Sequence, residues 1–154
     1  MKKFQFSLSK VLDYKGQVLE KEKNYLAHLH ALKKQIEDEI DALQEEFQRV
    51  NQRLAEKSAE GISVIQIKSF EYQLQSIRYQ IRQLQSENNA ISASIEKQIK
   101  VVVSISQEIS GLDKLEEKQR TEYNLLEAKG SELQIAEFVS SSLIRKRMVE
   151  TSSY

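Results

Sequence analysis

Few side chains in this sequence have the types and spacing needed for catalysis or metal binding. The two histidines, His28 and His30, are two residues apart, so on a helix they point to different faces and do not chelate one ion as an i,i+4 pair would. There is no cysteine, no G-x-S-x-G motif and no glycine-rich phosphate loop, since Gly61, Gly111 and Gly130 stand alone. We therefore expect no enzyme activity, no catalytic residue, no cofactor and no metal.

Carboxylates are abundant, most densely from Glu37 to Glu46. A carboxylate becomes an acid–base catalyst when a concave pocket shifts its pKa, and a pair of long helices offers no such pocket. We interpret this acidic run as a solvated helix face, with contact to a basic partner as the alternative.

The composition favours long helices. The chain has 154 residues, four glycines and no proline, and continuous helix requires the absence of proline. Because 23 basic and 23 acidic residues are interspersed, the net charge is zero and no basic surface for nucleic acid is indicated. No window approaches the ~20 apolar residues of a membrane span, and residues 1–10 lack the apolar core of a signal peptide. We expect a soluble, cytoplasmic protein.

The strongest pattern is a narrow apolar seam between Ser63 and Leu112. Its members are separated by alternating steps of three and four residues, as in a coiled coil. They are Ile67, Phe70, Leu74, Ile77, Ile81, Leu84, Asn88, Ile91, Ile95, Gln98, Val102, Ile105, Ile109 and Leu112. Only Asn88 and Gln98 are polar. Either they set the register of the helix pair, or the seam drifts locally and leaves them on its flank.

A second seam precedes the first and predicts the partner helix, from about residue 4 to 57. Between Leu29 and Ile40 its steps are three, four and four, which indicates a stutter in the supercoil. Its members are Leu8, Val11, Lys15, Val18, Glu22, Tyr25, Leu29, Leu32, Ile36, Ile40, Leu43, Phe47, Val50 and Leu54.

A turn at residues 58–63 separates the helices. Gly61 suits the left-handed position that ends a helix, and Ser63 with Gln66 forms a capping box that starts the next one. We predict one domain, 1–154, with a second helix at about 64–147 and a frayed tail at 148–154. The fold class is all-α, a long antiparallel two-helix coiled-coil hairpin.

The second helix is longer than the first, which predicts an unpaired C-terminal overhang. From Leu115 to Arg147 its apolar side chains have no partner within the chain, and exposed apolar surface of that kind marks a binding site. The cluster Arg145-Lys146-Arg147 is either a solvated helix end or a contact for an acidic ring or an anionic membrane.

Several residues together resemble the FliJ family of flagellar export proteins. Phe4, Phe6, Leu8, Val11 and Leu12 match the opening F-x-F-x-L-x-x-V-L of that family, and Gly61-Ile62-Ser63 matches its interhelical G-I-S/T. Leu112, Leu115, Lys118, Arg120 and Tyr123 resemble its second-helix segment, and Ala136-Glu137-Phe138 stands before a basic tail as in the family. Ala136 replaces the aspartate common there, so any polar contact of that aspartate is lost.

The resemblance implies a non-enzymatic stalk in bacterial flagellum biogenesis and motility, with a link to chemotaxis. It implies that the end carrying both termini enters the ring of the export ATPase FliI, that the hairpin end engages the export-gate protein FlhA, and that the chain also handles export chaperones. The implied location is the cytoplasmic face of the cell membrane at the flagellar base. On this basis we predict two contact sets: for the ATPase ring, Phe4, Phe6, Leu8, Leu126, Leu133, Glu137 and Phe138; for the gate, Tyr72, Gln73 and Gln80.

Other interpretations remain open. A generic antiparallel coiled-coil spacer explains the seams but not the overhang. A membrane-surface protein requires a basic helix face, against which the interspersed charges argue. A homodimeric adaptor whose overhangs pair with each other is a third possibility.

Overall fold

The computed structural model describes residues 2–152, and within that range the protein is two long α-helices packed against each other, without a strand. Helix α1 spans Ser9–Glu60 and helix α2 spans Val64–Ser152. The predicted all-α helical hairpin is thus confirmed.

The turn has the predicted chemistry. Gly61 ends α1 with a φ of 88°, a left-handed conformation that costs glycine no steric penalty. Its N–H donates to the carbonyl of Ser58 over 3.3 Å. The Ser63 N–H donates to Gln66 Oε1 and the Gln66 N–H donates to Ser63 Oγ, each over 3.2 Å, which is the reciprocal pair of a capping box.

Contacts divide the chain into two compact units, each containing a part of both helices. Unit 1 consists of Met1–Gly16 with Ser106–Tyr154, and unit 2 of Gln17–Ile105. That the chain acts as one domain stays a prediction.

Unit 2 is an antiparallel helix pair. Gln98 Nε2 donates to the Glu22 carbonyl over 3.0 Å, and the Arg78 guanidinium lies 5.1 Å from the centre of the Phe47 ring. Glu22 of α1 thus contacts Gln98 of α2, and the later α1 residue Phe47 contacts the earlier α2 residue Arg78. The two helices therefore run in opposite directions. The core is a single line of side chains, and its most buried apolar members are Leu29, Ile36, Ile40, Val50, Ile77 and Ile95.

Unit 1 joins the first turns of α1 and the N-terminal segment (residues 2–8) to α2. Lys15 forms an ion pair with Glu108, and the Tyr123 hydroxyl donates to the Lys2 carbonyl. Phe6 is the buried apolar residue of this unit, with 6% of its surface exposed. The pairing is again antiparallel.

The seam of α2 is confirmed and longer than predicted. Every predicted member is buried or half-buried, and the same steps continue through Glu116 and Gln119 to Tyr123, all half-buried. The two polar members, Asn88 and Gln98, lie in the seam and not on its flank.

The seam of α1 differs from the prediction at a few positions. Val11 and Tyr25 are 42% and 50% exposed, and their neighbours Leu12 and Leu26 are half-buried instead. The predicted members from Leu29 to Ile40, including Leu32, are all buried or half-buried, so the stutter stays a prediction. Lys33, next to Leu32, is half-buried as well, and its ammonium lies 3.9 Å from the Glu37 carboxylate. The buried or half-buried positions from residue 8 to the end of α1 are Leu8, Leu12, Lys15, Val18, Leu19, Glu22, Leu26, Leu29, Leu32, Lys33, Ile36, Ile40, Leu43, Phe47, Val50 and Leu54.

The helix ends also differ from those predicted. Helix α1 begins at Ser9, not near residue 4: residues 2–6 are non-helical and residues 7–8 form a turn, and Phe4, Phe6 and Leu8 are buried or half-buried. Residues two apart share a side in extended chain but diverge by about 200° in a helix. At the other end α2 continues to Ser152, so residues 148–152 of the predicted tail are helical, and 153–154 lie outside the described residues.

Candidate interaction surfaces

The C-terminal arm, residues 124–152 of α2, carries ten of the exposed large apolar side chains of the described residues. Every residue in it apart from Gly130 is exposed, over a length of about 43 Å at 1.5 Å per residue. Its exposed apolar side chains are Leu125, Leu126, Leu133, Ile135, Phe138, Val139, Leu143, Ile144, Met148 and Val149. Between Leu133 and Ile144 the only charged side chain is Glu137.

These apolar side chains lie on more than one side of the arm. At about 100° per residue, Leu126, Leu133 and Ile144 continue the line of the α2 seam. Ile135, Val139 and Leu143 lie roughly opposite, and Phe138 lies between the two sides. Helices that are apolar all round are normally buried, whereas a surface helix keeps one apolar side. The arm is therefore suited to a partner that encloses it.

The arm begins later than the predicted overhang. We expected Leu115 to Arg147 to be unpaired, but Tyr123 is half-buried and its ring lies 5.6 Å from that of Phe4. The expectation was wrong over 115–123 because it omitted the extended N-terminal segment, which spans more length per residue than helix and so reaches further along α2.

An aromatic and basic cluster marks the base of the arm. The Arg120 guanidinium lies 4.9 Å from the centre of the Phe4 ring, within the range of a cation–π interaction, and its Nη2 lies 3.4 Å from Glu116 Oε1. Phe4 and Leu8 are half-buried and Phe6 is buried, so contact of the Phe6 ring with a partner would require the segment to leave α2.

The predicted ring-contact residues therefore fall into two groups. Leu126, Leu133 and Phe138, 60%, 65% and 73% exposed, project from the arm with Glu137. Phe4, Phe6 and Leu8 pack at its base. The ring-contact prediction did not include Ile135 and Leu143, although both were expected among the unpaired apolar residues of the overhang, and Val139 was missed although the i, i+4, i+8 spacing was available as a signal.

The structure brings the three predicted gate-contact residues together in unit 2. Tyr72, Gln73 and Gln80 line one shallow depression of about 390 Å³, which Arg53 and Glu46 border from α1. Tyr72 is 74% exposed, and Tyr79, one residue before Gln80, is 62% exposed. A solvent-exposed tyrosine flanked by amides and charges suits a polar protein contact.

The two polar seam residues differ in how their hydrogen bonds are met. Gln98 is 7% exposed, and its amide donates both to the Glu22 carbonyl and to the Glu22 carboxylate. Asn88 is half-buried, and its Oδ1 has no hydrogen-bond partner within the described residues. Because Gln98 is satisfied only when Glu22 faces it, the pair favours one register of unit 2; a register role stays a prediction.

The remaining candidates for chemistry are dispersed. His28 and His30 are both exposed, and no group of three or more His, Asp or Glu side chains in residues 2–152 is arranged to hold a metal ion. Neither described helix has a stretch long and apolar enough to cross a membrane.

Comparison with known proteins identifies one family. The family model described as "Flagellar FliJ protein" matches residues 4–148, which is nearly the whole chain. No curated protein and no solved structure matches it. The match includes residues 4–8 of the N-terminal segment, all of α1, and α2 as far as residue 148 in the C-terminal arm.

Proposed function

The chain belongs to the FliJ family, and from its role in flagellar export we propose that it is a non-enzymatic stalk linking the export ATPase ring to the export gate. The observation on which the proposal depends is the C-terminal arm, which is exposed and apolar on several sides. A ring with a central opening is a partner that encloses a helix from all sides.

The ring contact we propose is formed by Leu126, Leu133, Glu137 and Phe138 of the arm. Phe4, Phe6 and Leu8 complete the set at the base, where the Phe4 ring lies against that of Tyr123. The near absence of charge between Leu133 and Ile144 supports an apolar lining in FliI. Arg145, Lys146 and Arg147 follow this region and suit acidic groups at the end of such an opening.

The gate contact we propose is the depression of unit 2 that contains Tyr72, Gln73 and Gln80. Its occupant would be FlhA, and export chaperones would be further partners, as the family resemblance implies. A chain with these partners works at the cytoplasmic face of the cell membrane, and the mixed surface charges are compatible with reversible contacts there.

Binding to the cognate export ATPase, measured together with ATP hydrolysis, tests the ring contact. We expect the full chain to bind and stimulate hydrolysis, and a chain truncated after Tyr123 to do neither while keeping its seams. Phe138→Ala should weaken binding by about 10-fold or more, as expected for an aromatic anchor, whereas Lys129→Ala in the same arm should not. Equal binding by the full and truncated chains would refute the proposal.

Binding to the cytoplasmic domain of the gate tests the second contact. Tyr72→Ala should weaken it, and Tyr14→Ala is the matched control because Tyr14 is similarly exposed, at 66% against 74%, but lies in unit 1. Equal effects of the two substitutions would argue against the depression as the contact.

A further inference from the structure

One side of the C-terminal arm carries a row of apolar residues that is symmetric about its middle member, and the proposed ring contact does not require this symmetry. Ile135, Val139 and Leu143 are 63%, 50% and 58% exposed and follow one another at intervals of four residues. A shallow depression runs along this side, and its lining includes small residues next to these apolar ones: Glu132, Ile135, Ala136, Val139, Ser140 and Leu143.

We propose that this side of the arm pairs antiparallel with the same side of a second copy of the chain, about a two-fold axis at Val139. A two-fold interface is isologous, so residue i of one copy meets residue j of the other and the reverse. With the axis at Val139, Ile135 of each copy meets Leu143 of its partner and Val139 meets Val139. Each apolar side chain of the row is then covered by another of similar size.

Charge complementarity supports the same axis. Glu132 lies seven residues before Val139 and Lys146 lies seven residues after it, and at about 100° per residue both are within roughly 20° of the Val139 direction. The pairing therefore places Glu132 of each copy opposite Lys146 of the other. Neither side chain has an ion-pair partner among the described residues, so both are available.

Side-chain size permits the approach. Ala136 and Ser140 flank the row, and interaxial distances in helix pairs are shortest where the side chains at the contact are small. A second copy covers one side of the arm only, and it leaves Phe138 and Ser141 exposed. The pair would form when no enclosing partner is present, and the two uses of the arm exclude each other.

The molecular mass of the full chain, measured by sedimentation equilibrium between about 1 and 100 μM, tests the pairing in the affinity range of small interfaces. Glu132→Lys and Lys146→Glu each create two like-charge contacts and should each raise the dimer Kd about 10-fold. The double variant, with Glu132→Lys and Lys146→Glu together, again places opposite charges at both contacts, with the two signs exchanged. It should return the Kd to within about 3-fold of the original. Arg147→Glu, the same charge reversal on another side, is the control and should leave the Kd unchanged.

Cross-linking tests the orientation, and the absence of native cysteine makes each product unambiguous. With a short bis-maleimide, Val139→Cys should give a covalent dimer and Ser141→Cys should not. Ile135→Cys should react when mixed with Leu143→Cys and poorly alone, because an antiparallel pair separates the two Ile135 positions by about 12 Å along the axis. A parallel pair would reverse that result and overturn the proposal.

Two further outcomes would overturn it. A monomeric mass at every concentration would show that the chain does not pair with itself through this side of the arm. A dimer insensitive to both charge reversals would place the self-contact on another surface. Helical content by circular dichroism should be the same for all variants, since the substituted side chains are exposed.

Discussion

Replacing Gln98 removes its hydrogen bonds to Glu22, which connect α2 to α1 in the core of unit 2. Gln98→Ala deletes a buried methylene, worth about 0.8 kcal/mol, and two hydrogen bonds. The bond to the Glu22 carboxylate is charge-assisted, at about 1.5 kcal/mol, and the bond to its carbonyl is neutral, at about 1 kcal/mol. We therefore expect the free energy of unfolding to fall by roughly 3 kcal/mol.

A double-mutant cycle separates these contributions. Glu22→Ala removes the carboxylate but keeps the backbone carbonyl as an acceptor, so the coupling energy between Gln98→Ala and Glu22→Ala reports the side-chain bond alone. We expect about 1–2 kcal/mol from urea unfolding followed by circular dichroism. Glu20→Ala, at an exposed position two residues away, is the control and should change stability by less than about 0.5 kcal/mol. A coupling below about 0.3 kcal/mol would refute the reasoning, because independent sites add within that error.

The structure also predicts how three other substitutions change stability or amide exchange. Gly111→Ala should raise the free energy of unfolding by about 0.5–1 kcal/mol, because an added Cβ meets nothing within 4 Å in this helical position. Ser63→Ala should lower it by about 1 kcal/mol through loss of the cap, and should speed amide exchange in the first turn of α2; unchanged exchange would contradict the cap. Phe6→Ala should release the N-terminal segment, which faster amide exchange at Ser9 would detect, because the Ser9 N–H donates to the Phe6 carbonyl, while exchange in unit 2 stays constant.

The two long helices and their turn were predictable because each follows from local pattern. A heptad repeat fixes which side of a helix is buried, and Gly61 with Ser63 and Gln66 forms the break between the helices. Every predicted member of the α2 seam is buried or half-buried. In α1 the predicted seam included Val11 and Tyr25, which are exposed, whereas their neighbours Leu12 and Leu26 are half-buried.

The base of the candidate site was less predictable because its secondary structure changes within a few residues. Phe4, Phe6 and Leu8 alternate with a period of two, which indicates extended chain, and the helical pattern that follows obscured this signal. Because helix was predicted from residue 4, the unpaired surface of α2 was predicted to start at Leu115, whereas it starts at residue 124. The symmetry about Val139 was present in the sequence, but it becomes meaningful only once the arm is known to be exposed.

The central claim is that an export ATPase ring encloses the C-terminal arm, and protection of single cysteines from a maleimide tests it most directly. Ser141→Cys and Val139→Cys lie on opposite sides of the arm, and Ser69→Cys is an exposed control in unit 2. At a chain concentration below the dimer Kd, addition of the assembled ATPase should slow labelling at both arm positions by about 10-fold or more and leave Ser69→Cys unchanged, because an enclosing partner desolvates all sides of the helix it holds. Unchanged labelling of Ser141→Cys and Val139→Cys in the presence of the ATPase would contradict the account.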